Sequence, residues 1–239
     1  MAKTQSSSTA NAGEQSESRI PANAAPPRDL RARKQRRARE RAAQVASQLF
    51  RERGYDETSL EEIADEAEMS VSSLLRYFGN KERLALARHI DHLEAFRSHM
   101  TEDQLTTLER WRAFIVDQTT SLLSFDSYNE ERQLIISVPA LLRLLSRIQL
   151  DQQDELAEAF AREADLDPEE DLYGRLLAAL LVAGNEAVYI QWLRSKGKGD
   201  LAQMSLTVVN FAATRLGSRD EVAADFVTIA PGPREASHL

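Results

Sequence analysis

Residues 58–81 read TSLEEIADEAEMSVSSLLRYFGNK. Thr58 and Ser59 precede Leu60, Ile63, Ala64 and Ala67, an apolar set that falls on one helical face. Ser59 and Glu62 have the spacing of a capping box, so a short helix starts at Leu60. Glu68, Met69 and Ser70 leave room only for a tight connection. Ser70 is placed to cap a second short helix, Val71 to Phe78, which Gly79 ends. Asn80 caps a further helix expected over 81–98. Two short helices joined by a three-residue turn and packed on a longer helix form a helix-turn-helix unit.

The longer helix lies just upstream. Ala38, Ala42, Val45 and Leu49, with Ala46 and Phe50 alongside, keep helical spacing and predict a helix from about 30–34 to 53. Arg51 and Arg53 suit the negative end of its dipole, and Gly54 takes the left-handed capping position.

The 239-residue chain carries a formal net charge of −8, which taken alone disfavours a nucleic-acid partner. The charge is unevenly divided. Residues 1–53 hold 12 Lys+Arg and 5 Asp+Glu, a balance of +7, whereas residues 54–239 hold 18 and 33, a balance of −15. Arg28, Arg31, Arg33, Lys34, Arg36, Arg37, Arg39 and Arg41 face only Asp29 and Glu40. Such a cluster neutralises phosphates without reading sequence, although a solvated helix end has the same composition.

Downstream the apolar period stays at three to four and no strand-length alternation appears, so the fold class is all-α. Thr101 and Gln104 open a helix expected to reach about Phe125. Another spans about 128–164, with a kink or break at Pro139. Asp167, Pro168, Glu169 and Glu170 read as N-cap, first position and acidic first turn of a helix to about Ser195. A last helix covers about 201–216, stopped by Gly217.

The absence of cysteine excludes a disulfide framework and any Cys-ligated metal. No unbroken apolar run approaches the ~18 residues of a membrane span, the longest being 176–184, and no apolar core follows Lys3. No membrane partner is therefore expected, and a cytoplasmic, nucleoid-associated location is. The expected organisation is a disordered basic-leading arm (1–30), a three-helix helix-turn-helix domain (31–98), a helical body (99–217) and a flexible tail (218–239).

Residues 39–97 resemble the DNA-binding domain of the TetR family of transcriptional regulators. The matching residues are Leu49-Phe50, Gly54-Tyr55, Thr58-Ser59, Ile63-Ala64, Ala67, Ser70, Arg76-Tyr77-Phe78, and Lys81-Glu82 with Leu84. The stretch from Leu74 to Phe78 and the Asp167-Pro168-Glu169 start are similar to an actinobacterial subgroup that includes the mycofactocin-system regulators. The resemblance implies a helical dimerisation and ligand-binding body, pairing of the last two helices with their copies in a second subunit, and repression of a palindromic operator relieved by a small apolar effector. It makes Val71–Phe78 the helix that enters the major groove.

The DNA contacts so implied are Arg36, Arg37, Thr58, Ser59, Ser70, Val71, Ser72, Ser73, Leu75, Arg76, Tyr77 and Lys81. Arg76 is the one reading-helix residue able to make a bidentate contact to guanine, though a phosphate would serve it equally. Helix starts at Thr58 or Ser59 and at Asn80-Lys81 offer free N–H groups to phosphates. Two positions depart from the family. Glu68 stands where Gly is usual, which costs ~1–2 kcal/mol if the position is left-handed. Leu75 replaces a frequent Tyr and cannot hydrogen-bond, though it could touch a thymine methyl.

Effector contacts are expected among His89, His92, Trp111, Phe114, Phe125, Asn185, Glu186 and Tyr189. For the aromatic residues a plain core role competes, and Asn185 and Glu186 equally suit an interface between copies. No cofactor or metal is expected. Two other classes stay open at this point: a helical interaction protein with a degenerate DNA reader, marked by Glu68 and Leu75, and an enzyme built on His89, Asp91 and His92.

Overall fold

The computed structural model describes residues 28–120, 125–216 and 218–222. The disorder expected for 1–27 and 223–239, and the stop at Gly217, lie outside the described residues. The chain divides into two compact units, Met1–Arg37 and Ala38–Leu239. The boundary expected at 98/99 separates no compact units, because α4 and α5 pack onto the helices of the body.

Among the described residues there are ten helices, a short helical segment at 219–222, and no strand. They are α1 (Arg28–Arg53), α2 (Leu60–Glu66), α3 (Val71–Phe78), α4 (Lys81–Ala85), α5 (Ala87–His99), α6 (Thr107–Thr120), α7 (Phe125–Ser137), α8 (Pro139–Glu163), α9 (Leu172–Arg194) and α10 (Leu201–Arg215). The all-α reading therefore holds, with several boundaries displaced for local reasons.

Helix α1 starts earlier than expected, directly after Pro27, so residues 28–30 belong to it rather than to the arm. The helix expected over 81–98 is two helices. Leu86, at φ −102° and ψ 20°, breaks the path between α4 and α5 while staying fully buried. Helix α6 begins at Thr107, later than Thr101 or Gln104 suggested. The Thr106 N–H donates to Glu109 Oε2 at 2.8 Å and the Glu109 N–H to Thr106 Oγ1 at 3.3 Å, a capping box the pattern reading passed over.

Pro139 ends one helix and starts another. It pushes Val138 to φ −111° and ψ 104° and takes the first position of α8. The chain bends there by 110°. The helix start assigned to Asp167 is a single turn. Its carbonyl accepts the Glu170 and Asp171 N–H groups at 3.0 Å, and α9 begins only after Asp171, whose carboxylate accepts the Gly174 N–H at 3.1 Å. The expected tail has an ordered beginning: Ser218 and Glu221 cap each other, and Arg219 is ion-paired to the buried Asp171.

Helix α9 is longer and more apolar overall than the count of unbroken runs suggested. Its 23 residues, with mean hydropathy 1.4 over the most apolar window, are by length and composition enough to cross a membrane. Counting unbroken runs missed this because Arg175, Asn185 and Glu186 interrupt the apolar sequence. It packs against α8 and α10, with 28% of that window buried. The core of the body joins Phe96, Trp111 and Phe114, whose rings meet edge-on or tilted at 5.4–5.8 Å, to Leu141, Leu156 and Leu181.

Candidate DNA interface and effector cavity

Ser59 caps α2 as its spacing predicts. Its N–H donates to Glu62 Oε2 at 2.8 Å, and the Glu62 N–H donates to Ser59 Oγ at 3.1 Å. The turn to α3 passes through Glu68 at φ 56°, the left-handed conformation that makes glycine usual there. The Glu68 carboxylate lies 2.8 Å from the Arg41 guanidinium. Ser70 then caps α3 through the Ser73 N–H at 3.2 Å.

Helix α3 is sharply two-sided. Leu74 and Phe78 are buried against the unit's core, while Ser72, Leu75 and Arg76 are exposed on the other side. Val71, Ser73 and Tyr77 lie at the margins, half-buried. The Arg76 guanidinium sits 5.3 Å from the Tyr77 ring centre and 3.4 Å from Ser73 Oγ. Ser70 is exposed, but its hydroxyl is already engaged by Ser72 and Ser73 at 3.0 Å.

Thr58 does not fit the role expected of it. It is 1% exposed, and its hydroxyl donates inward to the Gly54 carbonyl at 2.8 Å, closing the turn after α1. Lys81 is drawn back as well, its ammonium 4.3 Å from the Tyr55 ring centre. Of the basic cluster, Arg39 is tied to Asp91 at 2.6 Å and Arg41 to Glu68. Arg36 and Arg37 are exposed.

A cavity of about 90 Å³ is lined by Arg88 and His89 of α5, Arg132, Ile135 and Ile136 of α7, Leu142, Leu145 and Gln149 of α8, and Glu186 and Tyr189 of α9. Its polar wall is ionic. Glu131 binds Arg88, and His89 Nε2 lies 3.3 Å from the same carboxylate. Burial works against the Glu131 carboxylate, yet the hydrogen bonds and charges of His89 and Arg88 outweigh it and hold the group below the usual carboxylate range. Arg132 pairs with Glu186 at 2.8 Å. Arg88 stacks on Tyr128 at 3.9 Å, and its Nε is buried without an acceptor. Burial pushes the Tyr189 hydroxyl far above its usual value, so it stays a neutral donor.

Three of the expected effector contacts, His89, Glu186 and Tyr189, come together on this cavity. Trp111 and Phe114 do not; at 2% and 0% exposed they are packed core. His92 is turned into that core, with Nδ1 3.0 Å from Gln118 Oε1 and its ring 4.7 Å from Phe114. Both side-chain atoms of Asn185 are buried without a partner, away from the lining. Phe125 begins α7, and its side chain lies outside the described residues. Sequence reading missed Arg88, Glu131, Arg132 and Gln149. The signal was present in the apolar positions of α7 and α8 interrupted by charge, but only the bend at Pro139 brings those two faces together.

Residues 44–87 match the family model described as "Bacterial regulatory proteins, tetR family", and residues 126–217 match the one described as "MftR C-terminal domain". Between them they cover more than half of the chain. The HTH-type transcriptional regulator TcmR of Streptomyces glaucescens is 27% identical over 206 residues, covering 82% of this chain and 89% of its own. Among solved structures, the fatty acid degradation regulator FadR from Bacillus halodurans superposes with a TM-score of 0.53 at 19% identity, over 75% of this chain and 96% of its own. The SmeT–triclosan complex gives 0.55 at 18% identity, over 76% and 95%. FadR from Bacillus subtilis in complex with stearoyl-CoA gives 0.52 at 18% identity, over 73% and 97%. With a capped helix-turn-helix inside one matched segment and a helical body spanning the other, this chain belongs to the TetR family of transcriptional regulators.

Proposed function

We propose that the protein is a homodimeric, sequence-specific repressor whose α3 helices read the two halves of a palindromic operator, and that an effector entering the α5–α7–α8–α9 cavity releases it. The observation that carries the DNA reading is the exposed Ser72, Leu75 and Arg76 face of α3 opposite a fully buried Leu74. Arg76 has the fork geometry that suits guanine, and Arg36 and Arg37 supply phosphate contacts. Ser59, Ser70, Ser73, Val71 and Tyr77 are assigned to the margins of the interface. Thr58 is assigned no contact. Residues 31–98 act as the reader and 99–217 as sensor and dimeriser.

Two half-sites one turn apart, ~34 Å, require a two-fold pair of readers. Leu176 of α9 and Phe211 of α10 are exposed, at 39% and 55%, and supply apolar surface for that pairing. The cavity sets Arg88, His89, Arg132 and Glu186 against Ile135, Ile136, Leu142 and Leu145, so the effector it suits is amphipathic rather than purely apolar. Stearoyl-CoA on one solved protein of this fold and triclosan on another, each joining an apolar body to a polar group, support that reading. At about 90 Å³ the cavity admits a whole ligand only if side chains move, and Ile136 and Leu142, lining it yet 49% and 44% exposed, are placed to do so.

Selection of bound sequences from random duplex DNA tests the proposal. A two-fold symmetric operator, bound more weakly by Arg76→Ala by about 1–3 kcal/mol per half-site, is expected. No enriched sequence, or full binding by Arg76→Ala, overturns it in favour of a helical interaction protein with a degenerate reader.

A further inference from the structure

We propose that Leu75 is a specificity residue that reads the C5-methyl group of a thymine immediately beside the base pair contacted by Arg76. The inference rests on the assignment of α3 as the reading helix and names part of what it reads.

Among the described residues 38–99, Leu75 is the one large apolar side chain that is exposed, at 41%. The other apolar side chains of α3 turn away, Leu74 and Phe78 to 1% and 5% exposed. Leu75 is not held outward by any bond of its own side chain; its carbonyl accepts the Gly79 N–H at 2.8 Å and completes the end of the helix. Its neighbours on the exposed face, Ser72 and Arg76, are polar. The only apolar group on the major-groove edge of a base pair is the thymine methyl.

Register makes the claim specific. Consecutive helical residues rise ~1.5 Å and turn ~100°. Base pairs stack at ~3.4 Å. Leu75 and Arg76 lie close along the helix axis but point ~100° apart, so they address adjacent base pairs rather than one. Arg76 is held beside Leu75 on the exposed face by Tyr77, 5.3 Å from its ring centre, and by Ser73 Oγ at 3.4 Å. A thymine next to a guanine is the half-site element that satisfies both.

The test uses the full-length protein and its selected operator. Each thymine is replaced in turn by deoxyuridine, which removes only the methyl. One position per half-site is expected to cost wild type about fourfold in affinity, and about fifteenfold when both half-sites are changed, the worth of a buried methyl. Leu75→Ala, on an exposed position with the fold checked by circular dichroism, binds the thymine and uracil operators equally. Arg76→Ala keeps the methyl sensitivity while relaxing the neighbouring guanine. An operator with no methyl-sensitive thymine overturns the inference alone, as does sensitivity that persists in Leu75→Ala. Failure to enrich any operator overturns the DNA reading itself, and the inference falls with it.

Discussion

Arg51, near the end of α1, donates to Glu130 of α7 at 3.0 Å. The next residue along α7, Glu131, binds Arg88 and His89 of α5, and the one after, Arg132, binds Glu186 of α9. Three consecutive α7 residues thus tie the longest helix of the reading unit to the cavity wall. Arg51 and Glu130 are 39% and 49% exposed, so their pair is worth under about 1 kcal/mol of stability. Glu130→Gln should therefore leave folding and operator affinity nearly unchanged. It should reduce the ratio of operator affinities without and with an effector that releases wild type, a coupling of ~1–3 kcal/mol in typical allosteric proteins. An unchanged ratio removes α7 from the signalling route.

His92 predicts a pH dependence. Burial pushes its imidazole down to about 4, the Gln118 hydrogen bond opposing and the neighbouring His89 and Arg88 reinforcing the shift. The unfolded chain protonates near ~6.5. The folded state, holding the ring neutral, keeps its full advantage above that pH and loses it as pH falls toward 4, by up to about 3 kcal/mol. His92→Phe preserves a ring against Phe114 and abolishes the titration. Urea unfolding at pH 7 and pH 4.5 should show a smaller acid loss in the variant. An equal loss in both proteins assigns the effect to other groups.

Glu68→Gly should act on two properties at once. The position has φ 56°, so glycine relieves about 1 kcal/mol of backbone strain, partly offset by a more flexible unfolded chain. It also removes a carboxylate from the turn before α3 and releases Arg41. Operator affinity is expected to rise, and the slope of log affinity against log salt to steepen by about one phosphate contact. A fall in affinity would mean that Glu68 holds Arg41 where the DNA needs it.

Gly184 lets α9 and α10 approach. A Cβ there would lie 2.6 Å from Val208 Cγ1. On an open helix Gly→Ala stabilises by about 1 kcal/mol. Here Gly184→Ala should destabilise by about 1–3 kcal/mol as the helices are forced apart. Val208→Ala in the same chain should recover most of the loss, as read by thermal melts. A gain in stability from Gly184→Ala alone would refute the close packing.

The reading unit was legible because its signals are local. Ser59, Glu62, Ser70, Asn80 and Gly79 act within three or four residues of themselves, and caps and turns of that span form the same way wherever the segment lies. The same locality explains the misplaced boundaries. Asp167-Pro168-Glu169-Glu170 has the composition of a helix start, but it closes one turn, and the cap that begins α9 is Asp171, buried and paired with Arg219 from 48 residues away. Trp111 and Phe114 looked alike as cavity or core until packing chose the core.

From the chain alone followed the all-α class, the helix-turn-helix between Ser59 and Phe78, and the contrast between a +7 beginning and a −15 remainder. Only the tertiary structure decided that Thr58 faces inward, that Lys81 lies back on Tyr55, and that Glu131 joins Arg88 and His89 beside an apolar wall. The first set depends on periodicity and neighbours within one or two turns. The second depends on which surfaces meet, and that is set by the bend at Pro139 and the packing of α5, α7, α8 and α9.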